Sequence, residues 1–289
     1  MPQFGQSARD DLVRFASTAE DLGAASLWVG DRLLAPVNPT VGYGGTDTIP
    51  DQMRTSFDPF VALAVAAAVT QKAQLGTSVL VAPWYPPVQL GRQLTSIDVV
   101  SGGRLITGLG IGWSPDEYQA AGAPFGRRGA QLDELMDALI ELWTSSPAEH
   151  DGRRWSVPPS WVDLKPVQQP HPPIYLGAFT PASLGRLGRR ADGWLAVVQV
   201  PGGVHPEALG WQRQQIDAAA VAAGRDPASI ATNVRINVAS GCTVAEVADV
   251  VRLLADNGYT DLFVDLMYVA SGVDAMLDWA QQLLAASAR

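Results

Sequence analysis

Short runs of β-branched and apolar residues alternate down this chain with longer stretches whose apolar positions recur every three or four residues. The first helix opens with Ser7 and Asp10 in capping-box spacing, places Leu12, Phe15, Ala16, Ala19 and Leu22 on one face, and ends at Gly23. A strand follows over 26–29. Asp58 and Pro59 start a helix to about residue 71: the carboxylate accepts from amides that lack intrahelical partners, and proline has no donor to orphan there. Residues 75–80 read as the next strand, and Leu90, Leu94, Ile97 and Val100 mark a helix stopped by Ser101-Gly102-Gly103. Strand 104–108 precedes the clearest helix, where Leu132, Leu135, Met136, Leu139, Ile140 and Trp143 form a stripe that has to be buried. From 174 onward the pattern gives strand 174–176, a helix capped by Thr180-Pro181, strand 194–198, helix 206–223 and strand 230–238. A helix opened by the Thr243/Glu246 capping box, strand 262–264 and helix 273–286 complete it.

Strands each followed by a helix imply parallel pairing with right-handed crossovers, and their number points to an α/β (β/α)8 TIM barrel with one domain over 1–289. An open doubly wound sheet is the runner-up. It is weakened at Gly108-Leu109-Gly110-Ile111-Gly112, because Trp113 stands where a dinucleotide fingerprint needs its third glycine. The run reads instead as a tight turn at a barrel mouth, where small residues let a flat ligand approach the backbone. Between the fourth helix and the fifth strand, residues 145–173 are Pro-rich but carry Trp155 and Trp161, which makes them a packed insertion rather than a linker.

Composition narrows the function classes. Hydrophobic residues at 47% and charged residues at 17% describe a globule with a large core. Acidic residues outnumber basic ones 29 to 20, and a net charge of −9 repels nucleic acid and anionic lipid. The longest apolar run, 60–69, is about half the ~20 residues of a membrane span. Residues 1–11 lack a basic segment followed by an apolar one, so no secretory signal is expected. The single Cys242 fits a reducing, cytoplasmic setting, and His150, His171 and His205 lie too far apart for a metal motif.

Barrel chemistry gathers at the C-terminal ends of strands. That rule picks out Asp31 and Arg32, Ser78 and Val79, Trp113 through Glu117, and Gly177 through Thr180. Each has a plainer reading: Asp31 and Arg32 as a solvated turn pair, Glu117 as a helix-start carboxylate, Trp113 as core. The turn Leu176-Gly177-Ala178-Phe179-Thr180-Pro181 leads into a capped helix whose amides suit a phosphate, and Arg127 and Arg128 could add charge-assisted hydrogen bonds. The plain alternative is a capped turn with surface arginines.

The segments 26–32, 75–80, 102–105, 108–113 with Asp116-Glu117-Tyr118, and Ala191-Asp192-Gly193-Trp194 resemble the luciferase-like family, most closely its deazaflavin coenzyme F420 branch. The resemblance covers roughly residues 2–200. It implies a tricyclic ring across the barrel mouth, backed by a bulged third strand with a non-proline cis peptide at Ser78-Val79. It carries cofactor contacts to Ser78, Val79, Trp113, Arg128, Gly177, Ala178, Thr180 and Pro181, and catalytic candidacy to Asp31, Arg32 and Glu117. Arg32 and Pro115 depart from the histidine and glutamate of the sugar-phosphate dehydrogenases of that branch, which argues against that substrate class. Residues 2–5 match only the end of the family's first strand, so a truncated first strand, or a native start upstream of Met1, is expected. The implied activity is hydride transfer between F420 and a small organic substrate, in a pocket shaped by Trp84 and Trp113. An FMN-dependent monooxygenase and a non-catalytic barrel binding a flavin-like ligand are the alternatives, and a homodimer is open.

Overall fold

Local chemistry places most element boundaries where the sequence puts them. The structure is a computed structural model that describes residues 1–5, 9–202 and 204–287. The cap expected from Ser7 lies outside the described residues. In chain order the elements are α1 (Arg9–Asp21), β1 (Ser26–Val29), α2 (Pro59–Val69), β2 (Gln74–Thr77), β3 (Leu80–Val81), α3 (Pro87–Ser101) and β4 (Leu105–Gly110). Next come α4 (Pro115–Ala120), α5 (Arg128–Thr144), β5 (Ala148–Asp151), β6 (Ser156–Ser160), β7 (Ile174–Gly177) and α6 (Pro181–Arg190). β8 (Gly193–Val200), α7 (Pro206–Ala222), β9 (Ala231–Val238), α8 (Val244–Asp256), β10 (Leu262–Asp265) and α9 (Gly272–Ser287) complete the order. Asp58 caps α2 by accepting from Phe60 N and Val61 N, and Thr243 with Glu246 forms the capping box of α8.

Three features differ from the sequence pattern. The strand expected over 75–80 divides into β2 and β3 at Ser78 and Val79, whose peptide bond is cis. The strand expected to stop at 108 runs on to Gly110, so Gly108 and Gly110 are strand residues and only Gly112 takes a left-handed φ of 59°. The short α4 was not foreseen, although Ser114 caps it by accepting from Glu117 N and Pro115 opens it.

The contacts gather into two compact units. The first comprises residues 1–2, 9–28, 173–202 and 204–287. In it β7, β8, β9 and β10 run parallel in that order, with Leu176 opposite Trp194, Val198 opposite Ile236, and Ile236 opposite Val264. Trp194, Ala196, Val198, Val234, Ile236 and Val238 fill one sheet face and are all buried. Helix α6 meets α7 closely because position 188 is glycine: a Cβ there would stand 2.2 Å from Ile216 O. Trp28 stacks on Phe263 at 4.5 Å.

The second unit comprises residues 3–5 and 29–172. β2 and β3 both lie parallel to β4, with Leu75 opposite Leu105 and Leu80 opposite Leu109. Arg104 closes the end of α2 by donating to the Ala67, Thr70 and Ala73 carbonyls, which satisfies acceptors a helix end leaves open. The 145–173 insertion contains the antiparallel β5–β6 pair and is pinned at both ends. Glu134 Oε1 accepts from Arg154 N and Trp155 N. The fully buried Asp98 accepts from Val167 N, Gln168 N and Gln168 Nε2. Gln3 donates to Gly30 O and Phe57 O, and Phe4 makes an isolated antiparallel bridge to Ser56; among the described residues no strand precedes β1.

Candidate functional site

The second unit brings together most of the residues picked out from the sequence. β1 ends at Val29, and the loop that follows carries Asp31 and Arg32, both nearly buried at 8% and 9% exposure. They are not a solvated turn pair. Asp31 Oδ2 accepts from Val81 N and from the Tyr85 hydroxyl, each at 2.9 Å. Its Oδ1 is buried with no hydrogen-bond partner. Burial pushes the Asp31 carboxyl up to about 7, aided by the Glu117 and Asp58 charges and opposed by the two bonds to Oδ2.

Glu117, on α4, is the organising residue of this corner. Its Oε1 accepts from Leu33 N at 2.9 Å and Leu34 N at 3.4 Å, and its Oε2 lies 3.3 Å from Arg32 Nη1. Burial raises its carboxyl, with Arg32 pulling the other way. The preceding Asp116 accepts from both the amide and the hydroxyl of Thr40, so two adjacent carboxylates tie α4 to the loop after β1. Arg32 lies 4.9 Å over the Trp113 ring, whose edge meets Tyr43 at 5.7 Å. Trp84 is not a free pocket wall: it packs into an apolar cluster with Val81, Tyr118 and Ala123.

Ser78 and Val79 sit at the break between β2 and β3, where Ser78 N donates to Val29 O at 2.7 Å. The glycines opposite have a reason other than ligand approach. A Cβ on Gly110 would stand 2.4 Å from Val79 Cγ2, and one on Gly112 would stand 2.6 Å from Val81 Cγ1. These two valines occupy the space that the sequence reading left for a flat ligand.

Arg128 is the first residue of α5, after Arg127 in a left-handed conformation with φ 62°. Its guanidinium stacks 3.6 Å over Phe125, its Nη1 reaches Phe125 O at 3.3 Å, and its Nε is buried without a hydrogen-bond partner. No carboxylate of the described residues pairs with it. In the first unit, Gly177 ends β7, Ala178 is buried, and Thr180 and Pro181 open α6. The free amides expected there are largely engaged. Ser183 Oγ accepts from Phe179 N and Thr180 N, Thr180 Oγ1 accepts from Ser183 N, and Pro181 has no N–H.

Sequence reading missed Tyr85 and the Asp116–Thr40 bonds. Tyr85 belongs to no spacing motif, and its partner is 54 positions away. Asp116 had one legible signal, the Ser-Pro-Asp-Glu start of a capped helix. Among the described residues no three His, Cys, Asp or Glu side chains gather as a metal site, and no helix is long and apolar enough to cross a membrane.

Comparison with known proteins follows the same lines. An uncharacterized protein of Mycobacterium tuberculosis (strain H37Rv) is 37% identical over 185 residues, covering 62% of this chain. The match spans 65% of that relative, just under two thirds of its length. A second uncharacterized protein of that strain is 31% identical over 262 residues, covering 87% of this chain and 83% of the relative. Monooxygenase RslO1 from Streptomyces bottropensis superposes with TM-score 0.77 at 21% identity, covering 96% of this chain and 92% of its own. The coenzyme F420 dependent tetrahydromethanopterin reductase from Methanopyrus kandleri gives 0.63 at 19%, covering 97% and 88%. The oxygenating constituent of 3,6-diketocamphane monooxygenase from Pseudomonas putida, in complex with FMN, gives 0.66 at 19%, covering 88% and 69%. These structures share the fold, a mostly parallel α/β barrel of the luciferase-like type. The description of the luciferase-like monooxygenases matches residues 2–285, and the chain therefore belongs to the luciferase-like monooxygenase family.

Proposed function

We propose that the chain is an oxidoreductase that passes a hydride between coenzyme F420 and a small organic substrate, with Asp31 handling the accompanying proton. One observation carries this reading: Asp31 is a buried carboxyl poised near neutrality, with both of its bonds on Oδ2 and none on Oδ1. The proton of its neutral form therefore rests on Oδ1. A hydride added to a carbonyl, an imine or an activated alkene leaves an anion that must be protonated, and an acid whose pKa lies near the working pH does this best. Glu117 has no such freedom. Its oxygens hold Leu33, Leu34 and Arg32, which makes it a positioning residue for the loop that carries Asp31.

The residues present fit a flat, phosphate-bearing cofactor. Arg128 holds a guanidinium with a buried, unsatisfied Nε and no carboxylate partner, which suits a phosphate. Val79 and Trp113, both half-buried, offer apolar surface to a ring. The deazaflavin, when bound, supplies or accepts the hydride. FMN also presents a flat ring and a phosphate, so the same residues support an FMN-dependent reading, and FMN is the ligand of one structural neighbour.

Titration of the purified protein with F420 and with FMN, followed by the fluorescence of its nine tryptophans, separates the two. Saturable binding of F420, with an Asp31→Asn variant that binds it equally but turns over a carbonyl or enone panel at least tenfold more slowly, is the expected result. Binding of FMN alone overturns the F420 assignment, and unchanged turnover in the variant removes Asp31 from the reaction.

A further inference from the structure

In a parallel sheet, residues in register on neighbouring strands project from the same face. At the C-terminal ends of β8, β9 and β10, Gln199 is in register with Asn237 and Asn237 with Asp265. Three polar side chains therefore stand in one row across adjacent strands. The row one step further in is Val197, Arg235 and Phe263. The opposite face of the same strands is apolar and buried, so the polar row is not a by-product of strand edges meeting water.

We infer that this row is a binding site for an uncharged small molecule carrying vicinal hydroxyl groups. The charge argument comes first. Asp265 is held ionised: burial works against it, but the Arg235 guanidinium and the Met267 amide outweigh that and keep its carboxyl below the ordinary range. The Arg235–Asp265 pair is already neutral as a unit, and a charged ligand would have to break it while both partners are about four-fifths buried. An uncharged ligand leaves it intact.

The row offers mostly acceptors. Asn237 Oδ1 is buried with no hydrogen-bond partner, and the Asp265 carboxylate has lone pairs beyond those used by Arg235 and Met267. Unsatisfied buried acceptors are uncommon and point to a missing donor. Neighbouring strands lie about 4.8 Å apart, so acceptors on adjacent strands face donors on adjacent carbons. The exposed Gln199 amide can donate back to a hydroxyl oxygen, as its side chain makes no contact of its own. Phe263, stacked on Trp28 in the row beneath, supplies an apolar floor for the carbon skeleton.

The test uses ribitol as the probe, with pentane-1,5-diol and succinate as controls, in saturation-transfer NMR on the whole protein without cofactor. Ribitol is expected to bind saturably in the millimolar range, while pentane-1,5-diol, which lacks vicinal hydroxyls, gives no saturable signal. Asn237→Ala should weaken ribitol at least fivefold. Gln199→Ala, at an exposed position that leaves folding alone, should weaken it about twofold. No saturable ribitol signal overturns the inference and makes the row a hydration site. Succinate binding in place of ribitol overturns it in favour of an anion site at Arg235. Equal ribitol binding by both variants moves the contact elsewhere and also refutes it.

Discussion

Replacing Asp31 by asparagine should make the protein more stable and less active at once. The variant keeps an oxygen to accept from Val81 N and Tyr85 Oη, and puts an amide where the parent has an unpartnered Oδ1. In the folded parent the carboxyl titrates at about 7 against an ordinary 3.8. A folded pKa above the unfolded one means the folded state holds a proton that the unfolded state has released between those values. Stability therefore falls as pH rises from about 4 to 7 and levels off above. A gap of about three pKa units corresponds to roughly 4 kcal/mol across that window. Asparagine does not titrate, so the stability of variant minus parent should climb by roughly 4 kcal/mol from pH 4 to pH 8, about 5–10 °C in Tm for a chain of this size. Urea unfolding of both proteins at several pH values measures this, with the difference between the two cancelling the other carboxylates. A difference that stays constant from pH 4 to 8 refutes the burial argument, and so does a variant less stable at pH 8.

Three further outcomes follow from the same packing. Glu117→Gln should cost about 2–4 kcal/mol in urea unfolding, because it leaves the buried Arg32 guanidinium without its charge partner, and it should change the Trp113 emission; an unaffected midpoint would mean the pair contributes nothing. Gly110→Ala should cost about 1–3 kcal/mol through its clash with Val79, and the double variant Gly110→Ala/Val79→Ala should recover most of it; additive losses would place the strain elsewhere. Arg128→Ala should weaken the bound phosphate-bearing cofactor by about 1.5–3 kcal/mol in the fluorescence titration, and equal affinity would leave Arg128 as a stacking residue on Phe125 alone.

The architecture was legible because it is written in local terms. Capping residues such as Asp58, Thr180 and Thr243 act within three positions of themselves, and the stripe on α5 repeats with the helix. The break after Thr77 was also anticipated, on the resemblance rather than on periodicity, since 75–80 reads as one unbroken apolar strand. What could not be read were the partners. Glu117 looks like any first-turn carboxylate until the loop holding Leu33 and Leu34 folds back over α4, and Tyr85 means nothing until Asp31 is beside it. The glycines at 110 and 112 were read as room for a ligand, whereas two valines of the chain itself occupy it. Contacts between residues dozens of positions apart leave no trace in spacing.

The two pins on the 145–173 insertion have a consequence for how this protein can change. Glu134 fixes the backbone at Arg154 and Trp155, Asp98 fixes it at Val167 and Gln168, and Lys165 adds donors to Leu142 O and Ser145 O. Everything between Ser156 and Leu164 is thus a graft held by sutures at its margins. Lengthening a segment whose ends are already fixed adds only a slowly growing closure entropy, about 0.6 kcal/mol per doubling. Relatives can therefore exchange the 156–164 stretch, and with it the exposed Trp161 and Leu164, while helices α3 and α5 beneath remain as they are.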